Sequence, residues 1–348
     1  MPIESSHIKF MKSQIVGDAS ANGGRMADVE AANGVKNNVW PDVPQSERLA
    51  GSTRFRKVFV KIASPDNLKL IDARIFVETP TPGGDRVVIF PGTQSDVQAD
   101  VSAAVVHFYG SGQLNANVSV GATTLAVNVE EQTDWMFNPA DLIRIANKRS
   151  VDDLTGVEEF VRIKNQPSAV TWNGNLVTLV LEDGKSLENA YLAADTRVAP
   201  VIEAGDIWAR TDTWAIASPA GTFLGWNGAG SVPTALTDQR MVDAIAGIEQ
   251  TWMLTFTSVT AFSCVGDTVG SVGSGTTTSS FAPNNATHSR PYFTLPSSGW
   301  GGTWATGNVL SFKTHPAAVP IWQKRVIPPN TASLSGDRVV IGISGESE

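Results

Sequence analysis

The chain has one cysteine, Cys264, four histidines, three tyrosines and only 17% charged residues in its 348. Each shortage excludes something. A lone cysteine forms no intramolecular disulfide and no cysteine-based zinc site. His7, His107, His288 and His315 lie far apart and never take a His-x-x-x-His spacing, so no metal or other cofactor is expected. No apolar run reaches the about 18 residues of a membrane span. The start, Met1-Pro-Ile-Glu-Ser-Ser-His, has no basic flank leading into an apolar stretch, so no secretory signal is expected either. The net charge of −8 and the sparse cations lack the basic footprint of a nucleic-acid-binding chain.

Enzyme motifs are scarce too. There is no Gly-x-x-x-x-Gly-Lys-Ser/Thr phosphate loop and no Gly-x-Ser-x-Gly elbow between a strand and a helix. The doublets Glu130-Glu131, Asp152-Asp153 and Glu158-Glu159 send adjacent carboxylates to opposite faces of a strand, which builds no acid/base pair. Asp141 and Asp152-Asp153 lack the spaced Asp/Asn loop ending in Glu that holds calcium. The chain therefore reads as a non-enzyme with no catalytic, cofactor-binding or metal-binding residues.

What is present is β pattern. Phe55–Ile62, Asp72–Glu78 and Arg86–Phe90 are rich in β-branched and aromatic residues and are separated by Pro/Gly/Asn turns. Short runs follow at close spacing: Val118–Val120, Leu125–Val127, Leu142–Ile145, Glu159–Ile163 and Leu176–Leu181. Later runs are Trp252–Thr257, Ala261–Gly266, Pro291–Leu295, Val309–Lys313 and Arg338–Ile343. Two short helices are predicted, Asp96–Phe108 and Asp238–Ile248, and Gly266–Ser280 reads as a Gly/Ser/Thr loop or linker. The expected fold class is mainly β: several small β-sandwich or β-barrel modules, an extended N-terminal arm and one or two short helices.

Charge divides the chain. Residues 1–204 carry 44 of the 60 charged side chains, while residues 205–348 carry 16 and seven of the ten tryptophans. This places a boundary near Ala204–Asp206. Four parts are expected: an arm (1–52), a first β domain (53–113), a small barrel-like module (114–204) and a Trp-rich β domain (205–348). The low-charge last part is the one best suited to be covered by neighbours.

Two groups of residues stand out. Trp40 in the arm, with the basic run Arg54, Arg56, Lys57 and Lys61, forms a candidate assembly interface. The run suits a Lys-protected edge strand or a contact with an acidic neighbour. Trp226 and the Trp300-Gly-Gly-Thr-Trp304 segment place indoles close to glycines, which suits a sugar-stacking surface, but the favoured reading of Trp226, Trp300 and Trp304 is as core or interface anchors.

Long blocks carry a resemblance. Asn33–Val43 with Glu47–Ile62, then Gly121–Leu125 with Asp141–Ile145 and Glu159–Ile163, then Trp252–Phe256, Pro291–Pro296, Gly299–Trp304 and Phe312–Trp322 look like structural proteins of tailed bacteriophages and prophages. The resemblance implies a virion subunit of the tail, baseplate or neck, assembled in the host bacterial cytoplasm. Its implied partners are copies of itself in a ring or trimer and other virion proteins. The alternative is a receptor- or glycan-binding module at the tail tip, with a host surface glycan as partner. The resemblance supplies no catalytic residues.

Overall fold

A computed structural model describes residues 2–101, 103, 107–130, 136–148, 153–225 and 241–348. The protein is mainly β, with 49% of its residues in strands and 7% helical. Five strands open the chain: β1 (Ile8–Ile15), β2 (Gly23–Glu30), β3 (Ser52–Ile62), β4 (Leu70–Thr79) and β5 (Arg86–Pro91). Seven more follow: β6 (Gly112–Leu114), β7 (Thr124–Asn128), β8 (Leu142–Ala146), β9 (Glu158–Arg162), β10 (Val170–Asn173), β11 (Leu176–Val180) and β12 (Arg197–Pro200). After β13 (Ile202–Ile207) come β14 (Arg210–Ala217), β15 (Ala220–Phe223), β16 (Gln250–Phe256), β17 (Ala261–Gly266), β18 (Gly270–Thr276), β19 (Asn284–Asn285), β20 (Arg290–Pro291), β21 (Trp300–Thr303) and β22 (Val309–His315). The long β23 (Ala318–Ile327) and β24 (Val340–Ser347) close the chain.

The topology is one sandwich interrupted twice. One sheet has the order β2-β1-β3-β23-β5 and the other β13-β4-β24. Val58, Val60 and Ile321 from the first meet Ile75, Val77 and Ile202 from the second in a dry layer, which is what alternating inward residues on two facing sheets produce. Between β5 and β13 the chain leaves to build a seven-stranded sheet, β10-β11-β7-β6-β12-β8-β9. That sheet closes on itself: Ile163 bridges Leu181, with Lys164 N–H donating to the Val180 carbonyl and Glu182 N–H to that of Arg162. Between β13 and β23 it leaves again for an open sheet, β14-β22-β16-β17-β18.

Several expectations are corrected. Residues 1–52 are not an extended arm, because β1 and β2 pair with each other and β1 pairs with β3. Ile8 and Phe10 pack on the inter-sheet core while Met11 packs with Phe59 on the opposite face, and this two-sided burial conceals the strand period. The boundary at Ala204–Asp206 falls inside β13, and the last two strands return from the Trp-rich part to the sandwich. The stretch Gly266–Ser280 holds strand β18, whose Val272 packs on the second insertion's core. Of Asp96–Phe108, only the four residues Gln98–Val101 form the described helix, and Tyr109 bridges back to Ile89. In Asp238–Ile248, residues 238–240 lie outside the described residues. The rest is a turn in which the Asp243 carboxylate accepts from the N–H groups of Ile245 and Ala246. A second short helix, Gln45–Ala50, precedes β3.

The two insertions have different interiors. The first is aliphatic, with Leu125, Val127, Ile143, Ile145, Val177 and Leu179 continuing onto Phe55, Phe90 and Trp322 of the sandwich. The second is aromatic. Trp304 stacks on Phe256 at 4.2 Å between centroids, and Trp214 on Phe312 at 4.3 Å. Trp252 is fully buried, and its indole N–H donates to Thr314 Oγ1 at 2.8 Å. Cys264 lies within this core, and burial pushes its thiol up to about 12.

Candidate functional site

The basic run on β3 is not a protected edge. β3 lies between β1 and β23, and its cations are spent inside the chain. Lys57 Nζ lies 2.6 Å from Asp96 Oδ1 and donates to the carbonyls of Gly24 (2.7 Å) and Asp96 (3.1 Å). The indole N–H of Trp322 donates to the other Asp96 oxygen at 3.0 Å. Burial lowers the Lys57 pKa, against the opposing hydrogen bond and charge of Asp96. The turn before β2 approaches this cluster closely: a Cβ added at Gly23 would fall 2.7 Å from the Trp322 ring.

Lys61 Nζ donates to the Ile245 carbonyl at 2.6 Å, which ties the second insertion to the sandwich. Arg56 donates to the Gly17 carbonyl (2.6 Å) and to Asp18 (2.7 Å), and Arg54 pairs with Asp18 and Glu47. Trp40 lies over the Arg56 guanidinium at 5.0 Å and donates its N–H to Gln323 Oε1 at 2.8 Å. Trp40, Arg54, Arg56 and Lys57 bind the N-terminal segment to its own sandwich, and Lys61 binds the second insertion to it. None of them offers a free cation to a neighbour.

The tryptophans divide. Trp304 is 3% exposed and belongs to the core. Trp300 is half-buried, packed against Phe223 and Phe262 at centroid distances of 4.7 and 5.3 Å. Trp226 lies outside the described residues. The sheet therefore does not bring Trp300 and Trp304 out as a paired sugar platform.

The carboxylate doublets are structural where they are described. Glu158 takes Arg144 and Lys148, each at 2.7 Å. Glu159 accepts from the N–H groups of Glu188 and Asn189. Asp153 caps the turn at Thr155, and Asp141 accepts from Asn138 N–H and faces His107 at 3.2 Å. Glu130 is exposed at the end of β7, while Glu131 and Asp152 lie outside the described residues.

Sequence reasoning missed a carboxyl pair. Asp85, before β5, and Asp337, before β24, both face the Arg325 guanidinium. The sequence does carry a signal for it, because Gly-Asp-Arg-Val-Val-Ile occurs twice, at 84–89 and 336–341. Two carboxyls around one guanidinium repel each other when both are charged. Their natural chemistry is proton sharing.

The remaining feature is a surface. On the outer face of the second insertion's sheet, the cross-strand rows read Ala215–Ser311–Met253–Val265–Ser271 and Ala217–Val309–Thr255–Ser263–Ser274. All ten residues are neutral and small or apolar, whereas the next row on the same face, Asp212–Lys313–Thr251, carries charge. Met253 is 48% exposed and Val265 39%. The sheet ends at β18, which has neither a charged residue nor a proline. The edges β2, β5, β13, β14 and β24 each carry one or the other, while β10 (Val-Thr-Trp-Asn) of the first insertion, like β18, carries neither. Such residues are how sheets normally block edge-to-edge pairing. Comparison with family models, curated proteins and solved structures finds no match. Among the described residues, no helix is long and apolar enough to cross a membrane.

Proposed function

We propose that this chain is a non-enzymatic structural subunit of a tailed-phage virion, assembling with copies of itself and joining tail, baseplate or neck proteins through its second insertion. The observation that carries the assembly part is the pair of neutral rows on the outer face of that insertion, running out to its uncharged edge β18. A chain with net charge −8 repels its own copies over most of its surface. Neutral rows with exposed Met253 and Val265 remove that repulsion and add apolar area to bury. A strand edge without charge or proline can also add a partner's strand by backbone hydrogen bonds. The phage part is supported by the long sequence blocks that resemble phage structural proteins.

Sedimentation velocity of the purified chain, together with its detection in purified particles, tests the reading. Oligomers or partner complexes that dissociate when Val265 and Ser274 are both changed to Lys are expected. A monomer absent from particles would contradict it. The glycan-binding alternative has less support, since Trp304 is in the core and Trp300 is packed against its neighbours.

A further inference from the structure

The repeated hexapeptide marks two interlocked strand pairs. The first copy leads into β5, which pairs with β23; the second leads into β24, which pairs with β4. β4 precedes the first copy and β23 precedes the second. Each unit thus pairs its leading strand with the other unit's trailing strand, and Ile89 and Ile341 occupy equivalent places in the inter-sheet core. The same arrangement brings Asp85 and Asp337 together where the two units cross.

The surroundings leave this pair one proton short of satisfied. Asp85 is 2% exposed. Its Oδ2 accepts from Arg325 Nε, while its buried Oδ1 has no donor among the described residues. Asp337 Oδ1 accepts from Gly83 N–H at 3.1 Å, and its Oδ2 lies 3.9 Å from Arg325. Arg325 Nε is taken by Asp85, and Arg325 reaches Asp337 only at 3.9 Å through Nη2, so a proton held between the carboxyls relieves their repulsion and supplies the missing donor. The other charged groups in reach are Arg86 on β5, Glu130 after β7, Arg197 on β12 and Arg338 beside Asp337.

We propose that Asp85 and Asp337 form a proton-held clasp that fastens the segment before β24 to the turn between β4 and β5. With the proton shared, the turn and the segment are closed on each other. When it is lost to solvent, two like charges meet and the start of β24 loosens. Burial, then the hydrogen bond and charge of Asp85, push Asp337 up to about 6 from its ordinary 3.8. The sign follows from a raised folded value: the clasp's contribution is complete below the ordinary value and is lost as pH rises through about 6. The clasp lies on the sandwich, away from the outer face of the second insertion, so its test does not depend on assembly.

The test is amide hydrogen exchange of the full chain at pH 5 and pH 7.5, corrected for intrinsic exchange. Protection of residues 80–85 and 328–341 is expected to be about ten-fold higher at pH 5. That is below the about hundred-fold of a two-unit shift, because pH 5 lies only about one unit below the folded value and the full effect needs a pH below the ordinary 3.8. Asp337→Asn keeps a donor towards Asp85 without a titrating proton, so its protection should be high and equal at both pH values. Asp85→Asn, which also removes the like-charge contact, should flatten the pH dependence in the same way. Equal protection of the wild type at both pH values would overturn the proposal. So would a pH dependence that survives in the folded variant or variants.

Discussion

The two insertions meet one problem in opposite ways. Each is a sheet grown out of the same sandwich, and each must deal with its strand edges. The first closes on itself through the Ile163–Leu181 bridge, which joins the ends of β9 and β11 and leaves only the short β10 outside. The second stays open, fills its inner side with aromatic rings, and leaves β18 and the neutral rows of its outer face uncovered. A sheet edge exposed without charge invites association. On the proposed function, the contact surface lies in the second insertion, where an uncharged edge and neutral rows of the outer face lie together, and β10 of the first insertion is the rival edge.

Mutations can break or sharpen that contrast. The largest effect belongs to the aromatic core. Trp252→Ala should cost about 3–5 kcal/mol, measured by denaturant unfolding, and residues 210–315 should lose exchange protection before the first insertion does. The counterpart beneath the first insertion is the Lys57–Asp96 pair. Asp96→Ala strands a buried ammonium and a Trp322 N–H, at a cost of about 3 kcal/mol, and loosening should spread into the aliphatic core that Trp322 supports.

A smaller, pH-dependent effect should be confined to the second insertion. His315 lies between Glu249 (2.7 Å) and Asp212 (2.8 Å). Burial opposes its charge, but the hydrogen bond and charge of Glu249 and the charge of Asp212 outweigh burial and raise its pKa. Its contribution is then complete below the ordinary histidine value and is lost as pH rises through the higher folded value. Thermal unfolding from pH 6 to 8 should show a decline that His315→Gln removes. The smallest effect on stability is at the surface. Val265→Lys with Ser274→Lys should change stability by less than about 0.5 kcal/mol yet abolish association. Thr171→Lys on the exposed edge β10 of the first insertion should leave association intact.

Strands rich in β-branched and aromatic residues were legible from sequence, as at Phe55–Ile62 and Arg86–Phe90. β1 was not, because Ile8 and Phe10 face one core while Met11 faces another, and Lys9 and Lys12 interrupt both. β18 was not, because glycine and serine carry no strand preference and its pairing with β17 is a tertiary fact. The cations of β3 suggested an exposed edge, since a buried lysine needs partners from remote segments that spacing does not reveal; Asp96 and the Ile245 carbonyl are such partners. The Asp85–Asp337 pair was within reach, because the repeated Gly-Asp-Arg-Val-Val-Ile advertises two equivalent places in one fold.

The central claim is that the second insertion makes the contacts of assembly. Hydrogen exchange of the assembled particle against the dilute chain tests it most directly. The account expects new protection at Gly270–Thr276 and across the strands carrying Met253 and Val265, with the first insertion unchanged. New protection confined to the first insertion, with β18 exchanging freely in the particle, would contradict it.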